Sequence, residues 1–229
     1  MTQAPFYVSP EQLMKDRADF ARKGIARGRS VVVLRYDTGI LLLAENPSPT
    51  LHKIAEIYDR IGFAAVGKYN EFETLRQAGV RYADLRGYSY DRSDVTARGL
   101  TNAYAQTLAG VFTTESKPFE VELVVAELGR TAATDQLYRI TYDGSVIDET
   151  EHVAIGGQAD AITARLKGIV TSAKPLTAVV DLGVEALKAA GSGPLPVDDL
   201  EAAVLDREVP GHRTFRRLSD AALAELRSD

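Results

Sequence analysis

The sequence predicts an α+β protein in which two β-sheets lie face to face between pairs of helices, a four-layer αββα sandwich. Three observations carry that prediction. Apolar runs at residues 30–36, 40–44 and 61–66 are bounded by Gly28, Gly39, Pro47 and Gly67, and such runs read as strands buried on both faces. Strand-like and helix-like blocks follow one another as helix, strands, two helices, strands, two helices, strands, helix. The strict strand–helix alternation of a doubly wound sheet is absent.

The first helix begins at Ser9-Pro10-Glu11-Gln12. Ser9 supplies a capping hydroxyl, Pro10 fits the first helical position, and Gln12 stands three residues after the cap. The helix extends over about 9–24. Its apolar stripe is thin and its surface charged, which places it on the outside of the domain or against another subunit. A core of 29–229 follows. After the strand-rich stretch 28–68, Asn70 with Glu73 reads as a cap for a helix carrying Phe72, Leu75, Gly79 and Tyr82 to about Leu85. Gly87 reads as its end. A second helix, starting near Ser93-Asp94, carries Leu100, Tyr104, Leu108, Val111 and Phe112 up to Pro118.

Strand character returns at 119–128. A hairpin is expected at 137–147 about Asp143-Gly144, and a short strand at 152–155. Helices over 159–169 and 176–190 come next. Strands at 200–205 and 212–217 and a Ser219-capped helix complete the chain.

The chain has 229 residues, 45% of them hydrophobic and 26% charged. That length suits one domain with a substantial core. A net charge of −5 argues against a nucleic-acid partner bound by phosphate neutralisation. There is no cysteine, which excludes thiol catalysis and thiolate metal sites. No apolar run approaches the roughly 20 residues of a membrane span. No basic start with an apolar core marks a signal peptide. These features predict a cytoplasmic protein with no cofactor, no metal and no membrane partner.

Local motifs for chemistry are weak. The stretch from Gly62 to Lys68 nearly matches a phosphate loop, but Tyr69 stands where a metal-binding hydroxyl belongs and the intervening residues are strand-like. Asp84, Asp91 and Asp94 read as a solvated rim and a helix cap. Removal of Met1 would expose the Thr2 amine, and a threonine activated by its own amine is a nucleophile. Thr2, however, precedes Gln3-Ala4-Pro5 and a helix, whereas such a nucleophile begins a strand beside a lysine.

A longer pattern is more informative. The Ser9 cap is followed by the segment from Phe20 to Arg27, then by Ala44-Glu45-Asn46-Pro47-Ser48 and Leu51-His52-Lys53-Ile54. Tyr58 through Phe72, Arg86 through Arg92, Tyr104 through Leu108, Lys117 through Leu123, and Tyr138 through Ser145 complete the series. In order and spacing these resemble the α subunits of actinobacterial 20S proteasomes across nearly the whole chain.

The resemblance implies the N-terminal nucleophile hydrolase fold with an extra N-terminal helix, and a subunit that is not itself catalytic. Its position for a nucleophile, Arg29 or Ser30, lies inside the chain. The partners implied are neighbouring α subunits in a seven-membered ring, β subunits bearing the catalytic threonine, and a ring-shaped ATPase. The substrates implied are proteins tagged with the prokaryotic ubiquitin-like protein. Lys53 matches the lysine that receives an activator's C-terminal carboxylate, and Gly67 and Gly28 match backbone positions lining that pocket. Thr2, Gln3, Ala4, Pro5, Phe6, Tyr7 and Val8 match the gate. Phe20 departs from the tyrosine found in many relatives. The competing readings are a β-type hydrolase processed near Ser30 and a scaffold unconnected with proteolysis.

Overall fold

A computed structural model describes residues 9–191 and 194–227. Among these residues, ten strands form two antiparallel five-stranded sheets. The first contains β1 (Val31–Tyr36), β2 (Gly39–Glu45), β8 (His152–Ile155), β9 (Leu200–Asp206) and β10 (Phe215–Leu218), in the order β10-β9-β2-β1-β8. The second contains β3 (Ile54–Tyr58), β4 (Ile61–Gly67), β5 (Val121–Glu127), β6 (Gln136–Ile140) and β7 (Val146–Glu149), in chain order. The helices are α1 (Pro10–Ala26), α2 (Tyr69–Ser89), α3 (Ala97–Thr114), α4 (Ala159–Leu166), α5 (Leu176–Ala190) and α6 (Asp220–Leu226).

Side chains alternate across each strand, so one apolar run serves two cores. Val31 and Val33 of β1 face between the sheets with Ile40, Leu42, Ala64, Val124 and Leu205. Val32, Leu34 and Tyr36 of the same strand face Val179, Val180 and Val184 of α5 and Ile162 of α4. Phe63 and Ala65 of β4 face Leu75 of α2 and Leu100 and Tyr104 of α3. Helix pair, sheet, sheet and helix pair make the four layers that the sequence predicts.

Several boundaries differ from the sequence reading. The Asn70–Glu73 cap does not form: α2 starts two residues earlier, at Tyr69, with Lys68 at its cap position and no side-chain capping bond. Gly87 does not end α2. A methyl group there would strike the Tyr58 hydroxyl, so this glycine lets the helix pass close to β3. Ser93-Asp94 lie in a 3-10 turn, and Thr96 caps α3 by accepting from the Gly99 amide at 3.1 Å. β3 is an element the sequence reading did not assign, and α4 stops short of residue 169.

α1 lies on the outside of its own domain. Ala21 and Ile25 pack with Tyr142. Arg17 reaches the end of α3, where its Nε donates to the Phe112 carbonyl at 2.7 Å and Nη2 to the Glu115 carbonyl at 2.7 Å. The last carbonyls of a helix lack internal partners and carry negative dipole character. A guanidinium there fixes the α1 position. Leu13, Met14 and Phe20 stay exposed. Residues 2–8, the sequence-predicted gate, lie outside the described residues. No helix among the described residues is long and apolar enough to cross a membrane.

Candidate functional site

The site lies where α1 hands the chain to β1. Gly28 ends that hand-over: its amide donates to the Ile25 carbonyl at 2.8 Å, and its carbonyl accepts from the Gly157 amide at 3.2 Å. A Cβ on Gly28 would strike the Val66 side chain and press on the Gly67 amide. Gly67, at the end of β4, has φ +118°, a conformation that side chains rarely adopt. A Cβ on it would also collide with the Glu120 carbonyl. The two glycines share one surface concavity with Arg27, Lys68 and Glu120.

Lys53 sits just ahead of β3 and is half-buried. Its carbonyl accepts from the Ala65 amide at 3.0 Å, which seats it beside β4. Its Nζ donates to the Arg29 carbonyl at 2.7 Å and to the Glu45 carbonyl at 3.0 Å. Those bonds occupy two of the three donors of an ammonium. Burial lowers the Lys53 pKa from 10.5 to about 8; Glu45 and Glu201 oppose that effect and Arg29 adds to it. Lys53 therefore remains mostly cationic at neutral pH; its Nζ meets the main chain at Arg29, next to Gly28, but it lies outside the concavity that Gly28 and Gly67 share.

Glu201 is the residue that sequence reasoning missed. Buried on β9, it accepts from the amides of Lys53 at 2.8 Å and Ile54 at 3.2 Å. It also accepts from Asn46 Nδ2 at 2.8 Å and pairs with Arg217 and with His52, 3.2 Å away. A buried carboxylate requires such partners. Here they staple the segment carrying Lys53 onto the first sheet. The only sequence signal is one acidic residue in the otherwise apolar stretch Leu200-Glu201-Ala202-Ala203-Val204-Leu205.

The position for an N-terminal nucleophile is closed. Arg29 and Ser30 are peptide-bonded behind α1. Ser30 is 4% exposed, and its Oγ accepts from the Gln158 amide at 3.2 Å. The Lys53 ammonium meets the Arg29 main-chain carbonyl, not a hydroxyl or amine. The arrangement can hold an anion; it offers no nucleophile.

The other local motifs dissolve in the fold. Gly62 to Gly67 are β4, paired with β5, so their amides serve the sheet ladder and cannot cradle phosphate. Asp84, Asp91 and Asp94 are all exposed, and Asp91 accepts from the Ser93 amide at 2.8 Å as a turn cap.

The family profile described as "Proteasome subunit" matches residues 25–196. The chain belongs to the proteasome subunit family. It is 66% identical to the "Proteasome subunit alpha" of Kineococcus radiotolerans over 97% of both chains. It is 66% identical to the protein of the same name from Xylanimonas cellulosilytica, over 97% of this chain and 95% of that one. The corresponding protein of Saccharopolyspora erythraea is 62% identical over 97% of this chain and 87% of its own length. Membership of the proteasome family fits both the two-sheet sandwich and the helix that precedes β1.

Proposed function

We propose that this chain is the non-catalytic α-ring subunit of a 20S proteasome core particle. Copies of it form a seven-membered outer ring stacked on rings of β subunits, and the β subunits cleave the substrate. The observation that carries this reading is the closed start of β1: Ser30 is buried and an intact helix occupies the chain ahead of it. A subunit built this way contributes architecture and access control, and chemistry falls to a partner with a free N-terminal threonine.

The domain is single, with residues 1–8 as gate tail, 9–24 as N-terminal helix and 29–229 as core. Thr2, Gln3, Ala4, Pro5, Phe6, Tyr7 and Val8 from each copy close the axial pore. Lys53, with Gly28 and Gly67 shaping the backbone beside it, receives the C-terminal carboxylate of a ring-shaped ATPase. An ammonium with one donor in reserve suits that group. The ATPase delivers proteins tagged with the prokaryotic ubiquitin-like protein, and the particle works in the cytoplasm.

The test is an affinity capture of the tagged chain from its native host, with imaging and mass analysis of what accompanies it. A four-ring barrel containing a second subunit with an N-terminal threonine supports the reading. A monomer or small oligomer with no such partner overturns it.

A further inference from the structure

Beside Lys53 a second cation is held by a carboxylate of the chain itself. Arg29 Nη1 pairs with Glu45 Oε1 at 2.5 Å. The Arg29 side chain is 50% exposed and that of Glu45 26%, so both reach solvent. The same two residues supply the carbonyls to which Lys53 donates. The open end of the β1–β2 hairpin therefore carries the guanidinium and the competing carboxylate, and its carbonyls hold the Lys53 ammonium. Arg29 and Glu45 also line a cavity whose other charged residues are Arg27 and Lys188. Lys188 is already paired with Glu185 at 3.0 Å and Lys53 lies outside this lining, so two guanidinium groups face one carboxylate there, an excess that favours an anionic visitor.

We infer that Arg29 is the second cation of the docking site and that Glu45 is its internal competitor. This rests on the reading of Lys53 as the docking lysine. Glu45 occupies one edge of a guanidinium that can hold a carboxylate through two parallel bonds. An arriving C-terminal carboxylate takes the remaining Lys53 donor and displaces Glu45 from Arg29. Glu45 keeps its main-chain bond to Lys53 throughout, so the ammonium stays placed. The exchange sets a threshold: a weakly anionic or amidated C-terminus does not displace Glu45, whereas a full carboxylate does.

The test uses assembled core particles and a fluorescent peptide copying the C-terminal segment of the ring ATPase from the same organism, with a free carboxylate or an amide at its end. Binding is measured at low salt and at about pH 6.5, below the wild-type Lys53 pKa of about 8, and repeated at about pH 6 for Glu45→Gln, whose loss of the Glu45 charge lowers the Lys53 pKa further. Glu45→Gln is expected to tighten the carboxylate peptide by about two- to fivefold, the scale of a partly exposed ion pair, and to leave the amidated peptide unchanged. Arg29→Gln is expected to weaken the carboxylate peptide by about tenfold, the scale of a charge-assisted bond. Arg29→Lys should restore part of that loss, which separates lost charge from lost folding. Unchanged or weaker binding in Glu45→Gln overturns the inference, as does wild-type binding in Arg29→Gln. Loss of binding in Lys53→Ala together with either of those results overturns this inference alone. Wild-type binding in Lys53→Ala overturns the docking reading and this inference with it.

Discussion

Lys53 and Lys117 are two clamped lysines with opposite fates. Lys117 Nζ meets Glu71 at 2.7 Å and Glu120 at 2.9 Å. Burial pulls its pKa down, but the bonds to Glu71 and Glu120 outweigh burial and hold it above the ordinary lysine value. Its charge is answered within the chain. Lys53 is held by two main-chain carbonyls, and among the described residues no carboxylate lies within ion-pair distance of its Nζ. Burial therefore prevails and its pKa falls to about 8. Dipoles position a charge without neutralising it. The lysine denied an internal carboxylate is the one suited to an external one.

The largest expected effect separates the two lysines outright. Lys53→Ala should leave the core particle assembled and abolish its stimulation by the ring ATPase. Lys117→Ala should preserve stimulation and instead lower the melting temperature, by an amount matching roughly 1–3 kcal/mol for a buried Glu71 left short of a partner. Equal stimulation losses in both variants would break the contrast. Peptide hydrolysis with and without the ATPase, beside a thermal melt, reads both outcomes.

Next in size is the effect of deleting residues 2–8, which should raise basal peptide hydrolysis severalfold without any ATPase. Hydrolysis at the wild-type rate would remove the gate role from the tail and leave Lys53 with nothing to open.

A pH series sharpens the comparison further. Only the ammonium form binds a carboxylate, so docking should weaken by about tenfold between pH 7 and 9 as Lys53 loses its proton. Folding stability moves the other way. The folded pKa of about 8 lies below the unfolded value of 10.5, so the unfolded chain binds more protons between them. The Lys53 contribution is unfavourable below pH 8 and is relieved as pH rises from about 8 to 10.5. Peptide binding that stays flat from pH 7 to 9 would show that the site leaves Lys53 fully charged.

The smallest effect concerns the backbone. Gly67→Ala places a methyl group against the Glu120 carbonyl at a positive φ, and should cost about 1–3 kcal/mol. Chemical denaturation would measure it. A cost near zero would mean that the β4 end is looser than its contacts with β5 indicate.

Much of the fold was legible because local signals agreed with tertiary packing. The Ser9 and Ser219 caps form as predicted, with bonds to the Gln12 and Ala222 amides. Asp143-Gly144 turns the hairpin between β6 and β7, and α5 spans the predicted 176–190. β3 escaped because Ile54-Ala55-Glu56-Ile57-Tyr58 is an edge strand, half-buried and interrupted by charge. Gly87 misled because its helical tolerance depends on Tyr58, distant in sequence. Lys53 drew notice from family resemblance, not from spacing. Glu201 was silent because its partners lie far away in sequence, and a single carboxylate in an apolar strand does not say what it will meet.

The most direct measurement is a double-mutant cycle on the assembled particle. It compares the ATPase C-terminal peptide as free carboxylate and as amide, on wild type and on Lys53→Ala. If Lys53 receives the carboxylate, amidation should weaken binding strongly on wild type and hardly at all on Lys53→Ala. An equal amidation penalty on both would contradict the account and place the carboxylate elsewhere.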